Sequence, residues 1–497
     1  VSVSPRVLVV GGGPAGSTVA ALLARAGVGV TLLERERFPR YHIGESLLAS
    51  CLSTLRVSGA YDRVAAHGFQ IKRGGVFLWQ KDTWLLNWAA LVDAEAWSWQ
   101  VDRATFDDLL LRNASDQGAE VIEEATVKKV LFDDADRPVA VEWTMAGEDT
   151  VRTTEFDFLV DASGRAGVLA QKHFRMRRQH EGFRNIAIWS YWTGARLHPD
   201  SPEGAINVVS TPEGGWFWHI PLADGRFSVG YVISTRKAAE QVRVHGSQAA
   251  YYHDTIRNTP ELVKLLEGAT QVADIRADQD YSYVSDRLCG PGYVIVGDAA
   301  LFLDPLLSTG VHLATYGALT AAASIATALR GEMSEPDALS FFDYTYRRAY
   351  ERFLVLVSRM YQEYVGSDEY FSHASALTEA HADDTAQESF TRIMAGLTDV
   401  DESSGAQQRT GSDTIATKAD GLHDYASGAN ISYMGHLDMS PVWNVWRDPL
   451  GADTAMGDLR VTTEPVLGLT RRPRTDAEKD AIARPVNPPV GAPPVTH

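Results

Sequence analysis

Cysteine is scarce. The 497-residue chain has only Cys51 and Cys289, far apart in unlike surroundings. Two isolated thiols exclude a disulfide framework and a cysteine-based zinc site, and they fit a reducing cytoplasm. No metal site is expected. Positive charge is also short: 46 Lys and Arg face 64 Asp and Glu, a formal net charge of −18. That balance argues against a nucleic-acid partner, because phosphate contacts need clustered cations. Long hydrophobic runs are few. Residues 7–26 are apolar but broken by Gly11-Gly12-Gly13 and followed by no cleavage-site pattern, so they do not read as a signal peptide. Residues 305–329 lack charge over a length that could span a bilayer, yet Ala, Thr and Ser dominate and His312 lies inside. This run reads as a buried helix stopped by Gly331. No membrane association is expected. What is present, 45% hydrophobic and 22% charged residues, is the balance of a globular protein long enough for several domains.

The chain opens as strand, glycine loop, helix, strand: an apolar run over 6–10, glycines over 11–16, a helix over 17–26 and a strand over 28–33 ending at Glu34. This is a βαβ unit. A helix near 104–115 follows, with strands at 120–122, 126–132 and 156–160. From 173 to 285 short aromatic and β-branched segments alternate with turn clusters, which predicts a mainly antiparallel sheet. Residues 293–296 return to the parallel style before Gly297-Asp298.

The expected fold class is α/β. A Rossmann-like FAD-binding domain in three parts (1–80, 103–172, 286–331) is interrupted by a mainly antiparallel β-sheet substrate domain (173–285, with an excursion at 81–102). A divergent, mostly helical C-terminal region, 332–497, ends in a Pro-rich tail.

Gly11-Gly12-Gly13-Pro14-Ala15-Gly16 matches G-x-G-x-x-G between a strand and a helix. Gly11 permits the tight turn, Gly13 lets a phosphate approach the backbone, and Gly16 lets the helix lie close to the strand. The helix N-terminus then faces a pyrophosphate. Glu34, 23 residues after Gly11, sits where a carboxylate can accept both ribose hydroxyls of an adenosine. Asp298 follows a second strand end, where a flavin's ribityl hydroxyls need an acceptor and NAD offers none; FAD is therefore favoured. Taken alone, Asp298 reads more readily as a helix cap.

These pieces, with Arg40-Tyr41-His42-Ile43-Gly44-Glu45-Ser46, the 101–107 segment containing Arg103, Asp161-Ala162-Ser163-Gly164, Trp216-Phe217-Trp218-His219-Ile220-Pro221 and the 297–312 segment, resemble the FAD-dependent halogenase branch of the aromatic-hydroxylase-like flavoproteins. The likeness spans residues 5 to about 331. It implies an enzyme that uses FADH2, O2 and halide to make hypohalous acid, which then travels to a separate substrate. It also implies that Arg103 reaches the FAD pyrophosphate and the Val127 backbone the adenine. Ala15, Ser46 and Val311 complete the cofactor contacts.

Ser308-Thr309-Gly310 precedes the uncharged helix, and consecutive amides at a helix N-terminus can cradle an anion. By resemblance, Thr309 and Gly310 hold the halide; an ordinary N-cap at Ser308 or Thr309 predicts the same residues. Trp216, Trp218 and Ile220 alternate, so they share one strand face. In the family this wall separates flavin from substrate. Lys72 would be surface charge by default, but the family carries a lysine ahead of such a Gly-Gly, Phe-x-Trp strand to receive the oxidant. Arg73 and Lys81 are rivals for that role.

Relatives that act on free tryptophan place a glutamate before Ser-Thr-Gly, and this chain has Leu307. The chain thus looks like the phenol-directed branch, acting on a phenolic small molecule or an acyl-carrier-protein-tethered aromatic group in secondary metabolism. No second dinucleotide fingerprint is seen, so FADH2 is expected from a separate flavin reductase. The alternatives are an aromatic monooxygenase on the same fold and a non-catalytic binding protein.

Overall fold

The computed structural model describes residues 6–79, 82–87, 97–365 and 459–471. Lys81 and residues 88–96 of the 81–102 excursion, residues 366–458 and the Pro-rich tail lie outside the described residues.

Val7–Val10 forms the middle of a six-stranded sheet, parallel to Val30–Leu33 on one side and Phe158–Asp161 on the other. Glu120–Ile122 and Tyr293–Ile295 extend it in parallel, and Cys289–Gly290 adds an antiparallel edge. The three central strands are buried at every position, which is why they read as unbroken apolar runs rather than alternating ones. The first helix is Pro14–Arg25. It begins before the expected residue 17 because Pro14 fits the first helical position, where no N–H is needed.

Gly310–Leu329, the uncharged run, is a core helix packed among the first helix, the long helix Glu335–Val365 and a small hairpin of Arg460–Thr462 with Gly468–Thr470. A Cβ on Gly317 would lie 2.5 Å from the Tyr346 ring, so the small residues that weakened any membrane reading are what let the helices approach. Among the described residues no helix is long and apolar enough to cross a membrane.

The second sheet has nine strands, built around Arg177–Thr193, Arg226–Ser234, Trp216–Pro221 and Ile206–Ser210. It is antiparallel except where Ile206–Ser210 runs parallel to Gly74–Trp79. Four segments lie differently from the expected organisation. Gly74–Trp79, assigned to the first part of the nucleotide domain, belongs to this sheet, and Leu301–Phe302 from the third part pairs into its edge. Gly74–Trp79 is buried at all six positions, so its local pattern carries no sign of which sheet it joins. Residues 235–265, expected within the sheet, form three helices, Thr235–His245, Gln248–Arg257 and Pro260–Leu265. The Ser234 and Ser247 hydroxyls cap the first two, as N-cap serines do. The hairpin at 460–470 lies in the region expected to be mostly helical, and it gains a partner in the core helix that its own composition does not reveal.

Alternation in Trp216–Pro221 divides its side chains between two cores. Trp216, Trp218 and Ile220 enter the large core shared with the nucleotide domain, while Phe217 enters a separate cluster with Tyr231, Tyr251 and Tyr252.

Candidate active site

The glycine loop is shaped as its spacing requires. Gly11 has a φ of 104°, and a Cβ there would lie 2.3 Å from the Ala162 carbonyl oxygen. One on Gly16 would lie 1.9 Å from the Gly11 carbonyl oxygen. Neither position tolerates a side chain. Gly13 differs: a Cβ there would meet only Arg40 Nη2, at 3.4 Å, so space is open beside the backbone with a guanidinium facing it. No side chain caps this helix, which leaves its first amides to a ligand. The donor set fits a pyrophosphate.

Around that cradle, Ala15 packs on the Gly297 turn, where an added Cβ would lie 2.9 Å away. Glu34 is buried at the strand end; its Oε2 accepts from the Gly12 amide at 2.6 Å and its Oε1 from the Glu36 amide at 2.8 Å. Val127 lies in Ala125–Phe132, at a register irregularity opposite Trp143, and Ala125 N donates to the Glu34 carbonyl at 2.7 Å. Asp298 sits in the short turn Gly297–Ala299, well before the helix that starts at Gly310, so it does not cap that helix. Burial raises its pKa, opposed by Arg165, Arg103 and Arg177.

Arg103, expected to reach the pyrophosphate, is buried and bonded within the protein. Its Nε and Nη2 bind Asp107 at 2.8 and 3.0 Å, and its Nη1 donates to the Ile43 and Gly44 carbonyls at 3.0 and 3.1 Å. The head thus holds the 43–44 loop. Arg40 bridges to Asp107 at 3.0 Å and is the cation facing Gly13. Its place in the Arg40–Ser46 motif was the available signal.

Lys72 ends the strand Gln70–Lys72 and is only 2% exposed. Its Nζ donates to Ser46 Oγ at 2.7 Å and to the Leu47 carbonyl at 2.9 Å. Burial lowers its pKa from 10.5 to about 7, with the nearby Cys51 thiol opposing. Ser46, expected at the cofactor, meets Lys72 and is held by a bridge to Gln100.

Leu47, Cys51, Ile71, Trp97 and Trp99 form one apolar cluster, and Val311 belongs to it. The first turn of the core helix thus docks on the Lys72 neighbourhood, and His312 Nδ1 lies 2.7 Å from Ser50 Oγ. Just before it, Ser308 has a φ of 59°. Thr309 is fully buried, and its Oγ1 has no hydrogen-bond partner and does not cap the helix. At Gly310 nothing lies within 4 Å of a built Cβ. Uncapped amides and open space together fit a small anion.

Trp216, Trp218 and Ile220 are buried, and the two indoles sit 6.2 Å apart. Trp218 Nε1 donates to Ser228 Oγ at 3.0 Å. Glu45 is a site residue that sequence reasoning missed. It is buried, accepts from the Tyr191 hydroxyl at 2.8 Å, and its pKa rises from 4.5 to about 7 through burial, against hydrogen bonds from Ser228 and Tyr191. A carboxylate between Gly44 and Ser46 in an otherwise uncharged stretch was the visible cue.

Fold and cradle together define an FAD-dependent flavoprotein with a substrate sheet set against its nucleotide domain. Comparison narrows the class: residues 6–96 and 87–409 match the family model for tryptophan halogenase. A tryptophan 2-halogenase of Chondromyces crocatus is 37% identical over 98% of this chain and 99% of its own length. A sulochrin halogenase of Aspergillus terreus is 39% identical over 71% of this chain and 68% of its own. Among solved structures, the myxobacterial chondrochloren halogenase CndH is 38% identical with a TM-score of 0.69, covering 80% of this chain and 91% of that one. The chain belongs to the tryptophan halogenase family, and it is an FAD-dependent halogenase that uses FADH2 and halide.

Proposed function

We propose that this enzyme passes hypohalous acid through the protein to Lys72, which delivers the halogen to an electron-rich phenolic ring in secondary metabolism. The observation that carries the reading is a buried amine bonded to Ser46 and Leu47, beside the cluster that also receives Val311 of the halide-loop helix; burial pushes its pKa down to about 7. The Gly11–Gly16 loop, Arg40, Glu34 and Asp298 would hold FAD, whose reduced form supplies electrons for activating O2. Backbone amides of Thr309 and Gly310 bind halide, and Trp216, Trp218 and Ile220 keep the substrate ring on the far side.

Near neutral pH Lys72 populates both forms. Its ammonium donates a hydrogen bond to hypohalous acid. Its neutral amine can react with that acid to give a haloamine and water; attack by the ring then breaks the nitrogen–halogen bond, and the proton lost from the ring carbon restores the amine.

The apolar, buried Leu307 stands at the position before Ser308, which favours a substrate activated by its own hydroxyl. Relatives that act on phenols such as sulochrin support this reading. A second reading, free tryptophan, is favoured by the name of the Chondromyces relative. FADH2 comes from a separate flavin reductase, and the phenol is offered free or tethered to an acyl carrier protein.

Turnover of free phenols, carrier-bound phenolic acyl groups and tryptophan, with a flavin reductase, O2 and each halide, tests the reading by mass spectrometry. Halogenated phenol that disappears in Lys72→Ala, with flavin binding retained, is expected. Halogenated tryptophan alone, or oxygen gained without halogen, overturns it.

A further inference from the structure

The long helix Glu335–Val365 carries a side chain that reaches both halves of the site. Tyr361 is 5% exposed. Its hydroxyl accepts from Trp216 Nε1 at 2.9 Å and from Asn185 Nδ2 at 3.2 Å, and it donates to Asp304 Oδ2 at 2.7 Å. A tyrosine hydroxyl has one proton and two lone pairs, and these bonds match that capacity, two accepted and one donated. The proton goes to Asp304 Oδ2.

Asp304 is fully buried and is itself held at several points. Asn185 Nδ2 donates to its Oδ2 at 2.8 Å, and its own amide donates to Ser282 Oγ at 2.9 Å. Its Oδ1 accepts from the Leu306 amide at 3.1 Å, which starts the Pro305–Leu307 turn leading into Ser308 and Thr309. The ring of Tyr361 is fixed edge-on to Phe183, with centroids 5.6 Å apart. One hydroxyl therefore ties a strand of the substrate sheet to the root of the loop before the core helix, from an element outside both.

We propose that Tyr361 is a positioning residue: it sets the Trp216 indole in the wall and locks that wall in register with the 304–310 loop through Asp304. The proposal rests on the reading of Trp216 as part of the barrier and of 309–310 as the halide site. The strand Trp216–Pro221 directs the indole to the right face, but rotation about its side-chain torsions is settled by the acceptor for Nε1–H. With the hydroxyl removed, that buried donor is left without its acceptor, the indole turns, and the passage to Lys72 loosens.

The test uses the full chain with Tyr361→Phe, Trp216→Phe and the double variant. In flavin-free protein labelled with 15N-tryptophan, the Trp216 indole N–H signal, assigned by its loss in Trp216→Phe, should shift and exchange with water at least tenfold faster in Tyr361→Phe. With flavin, reductase, halide and a phenol, the share of oxidant trapped by an external scavenger relative to halogenated product should rise severalfold in Tyr361→Phe. The double variant should lie close to Trp216→Phe alone, because both remove the same bond. If Tyr361→Phe folds poorly, Asp304→Asn, which weakens the acceptor of the Tyr361 proton, should move the same ratio in the same direction. An unchanged indole signal, or effects of the two single variants that simply add, overturns the proposal. An altered indole signal with no change of partition in either single variant would leave the tie standing and overturn the barrier reading instead.

Discussion

Replacing Lys72 by methionine keeps the length and packing of the side-chain stem while removing the ammonium and its bonds to Ser46 and Leu47. At about 1.4 kcal/mol per pKa unit, a fall from 10.5 to about 7 corresponds to on the order of 5 kcal/mol working against folding while the lysine is charged. The direction follows from proton counting. Lys72 is a base whose pKa is lower in the native state, so between about pH 7 and 10.5 the unfolded chain holds a proton that the native protein has released. Wild-type stability therefore rises with pH across that window. The burden is full below about pH 7 and gone above 10.5. Methionine carries no such dependence, but it leaves the Leu47 carbonyl and Ser46 hydroxyl short of a donor, at a cost of about 1–3 kcal/mol. The variant should thus be the more stable protein near about pH 6 and the less stable one near about pH 10, the order reversing between. Urea midpoints of flavin-free wild type and variant, followed by tryptophan fluorescence at intervals across that range, measure this; groups that titrate in both proteins cancel in the difference. A gap that stays constant with pH refutes the buried, depressed amine on which the catalytic reading depends.

Gly16→Ala places a Cβ within 1.9 Å of the Gly11 carbonyl oxygen, so the first helix must leave the loop; the purified variant should lose its flavin, and one that stays yellow contradicts the cradle. Glu45→Gln removes an acid whose native pKa of about 7 lies above its usual 4.5. The native state favours the protonated form, so wild type loses stability as pH rises through this interval. The variant should gain melting temperature relative to wild type near about pH 8 and show no gain near about pH 4; equal gains at both would refute the shift. Thr309→Val deletes a buried, unpartnered hydroxyl and leaves the backbone amides in place. Stability should hold or rise by about 1 kcal/mol, and the halide KM should stay within about twofold; a tenfold rise would mean that the side chain, rather than the amides, holds the anion.

Much of the nucleotide side was legible because its signals are local. A glycine whose Cβ would strike a backbone oxygen, or an acid at the end of an apolar strand, is specified within one βαβ unit. The shared face of Trp216, Trp218 and Ile220 likewise follows from strand alternation alone, and the structure buries all three in one core. Partners supplied by distant chain were not legible. The Arg103 head meets Asp107 on its own helix, but also the Ile43 and Gly44 carbonyls from far back in the chain. Ser46 precedes Lys72 by a long stretch of chain, and only folding brings their side chains together. The helices at 235–265 had visible caps, but the β-rich segments around them masked the change of period.

The amino-acid order by itself determined the glycine turn, the alternating wall and the uncharged helix, because each depends on backbone sterics or on the period of a single element. Which sheet receives Gly74–Trp79, what accepts the Trp216 indole proton and how deeply the Lys72 amine is buried were decided only in the tertiary structure. Those properties belong to pairs of elements: solvent exclusion and hydrogen-bond complementarity come into being when separate segments close on one another, and no single stretch of chain contains them.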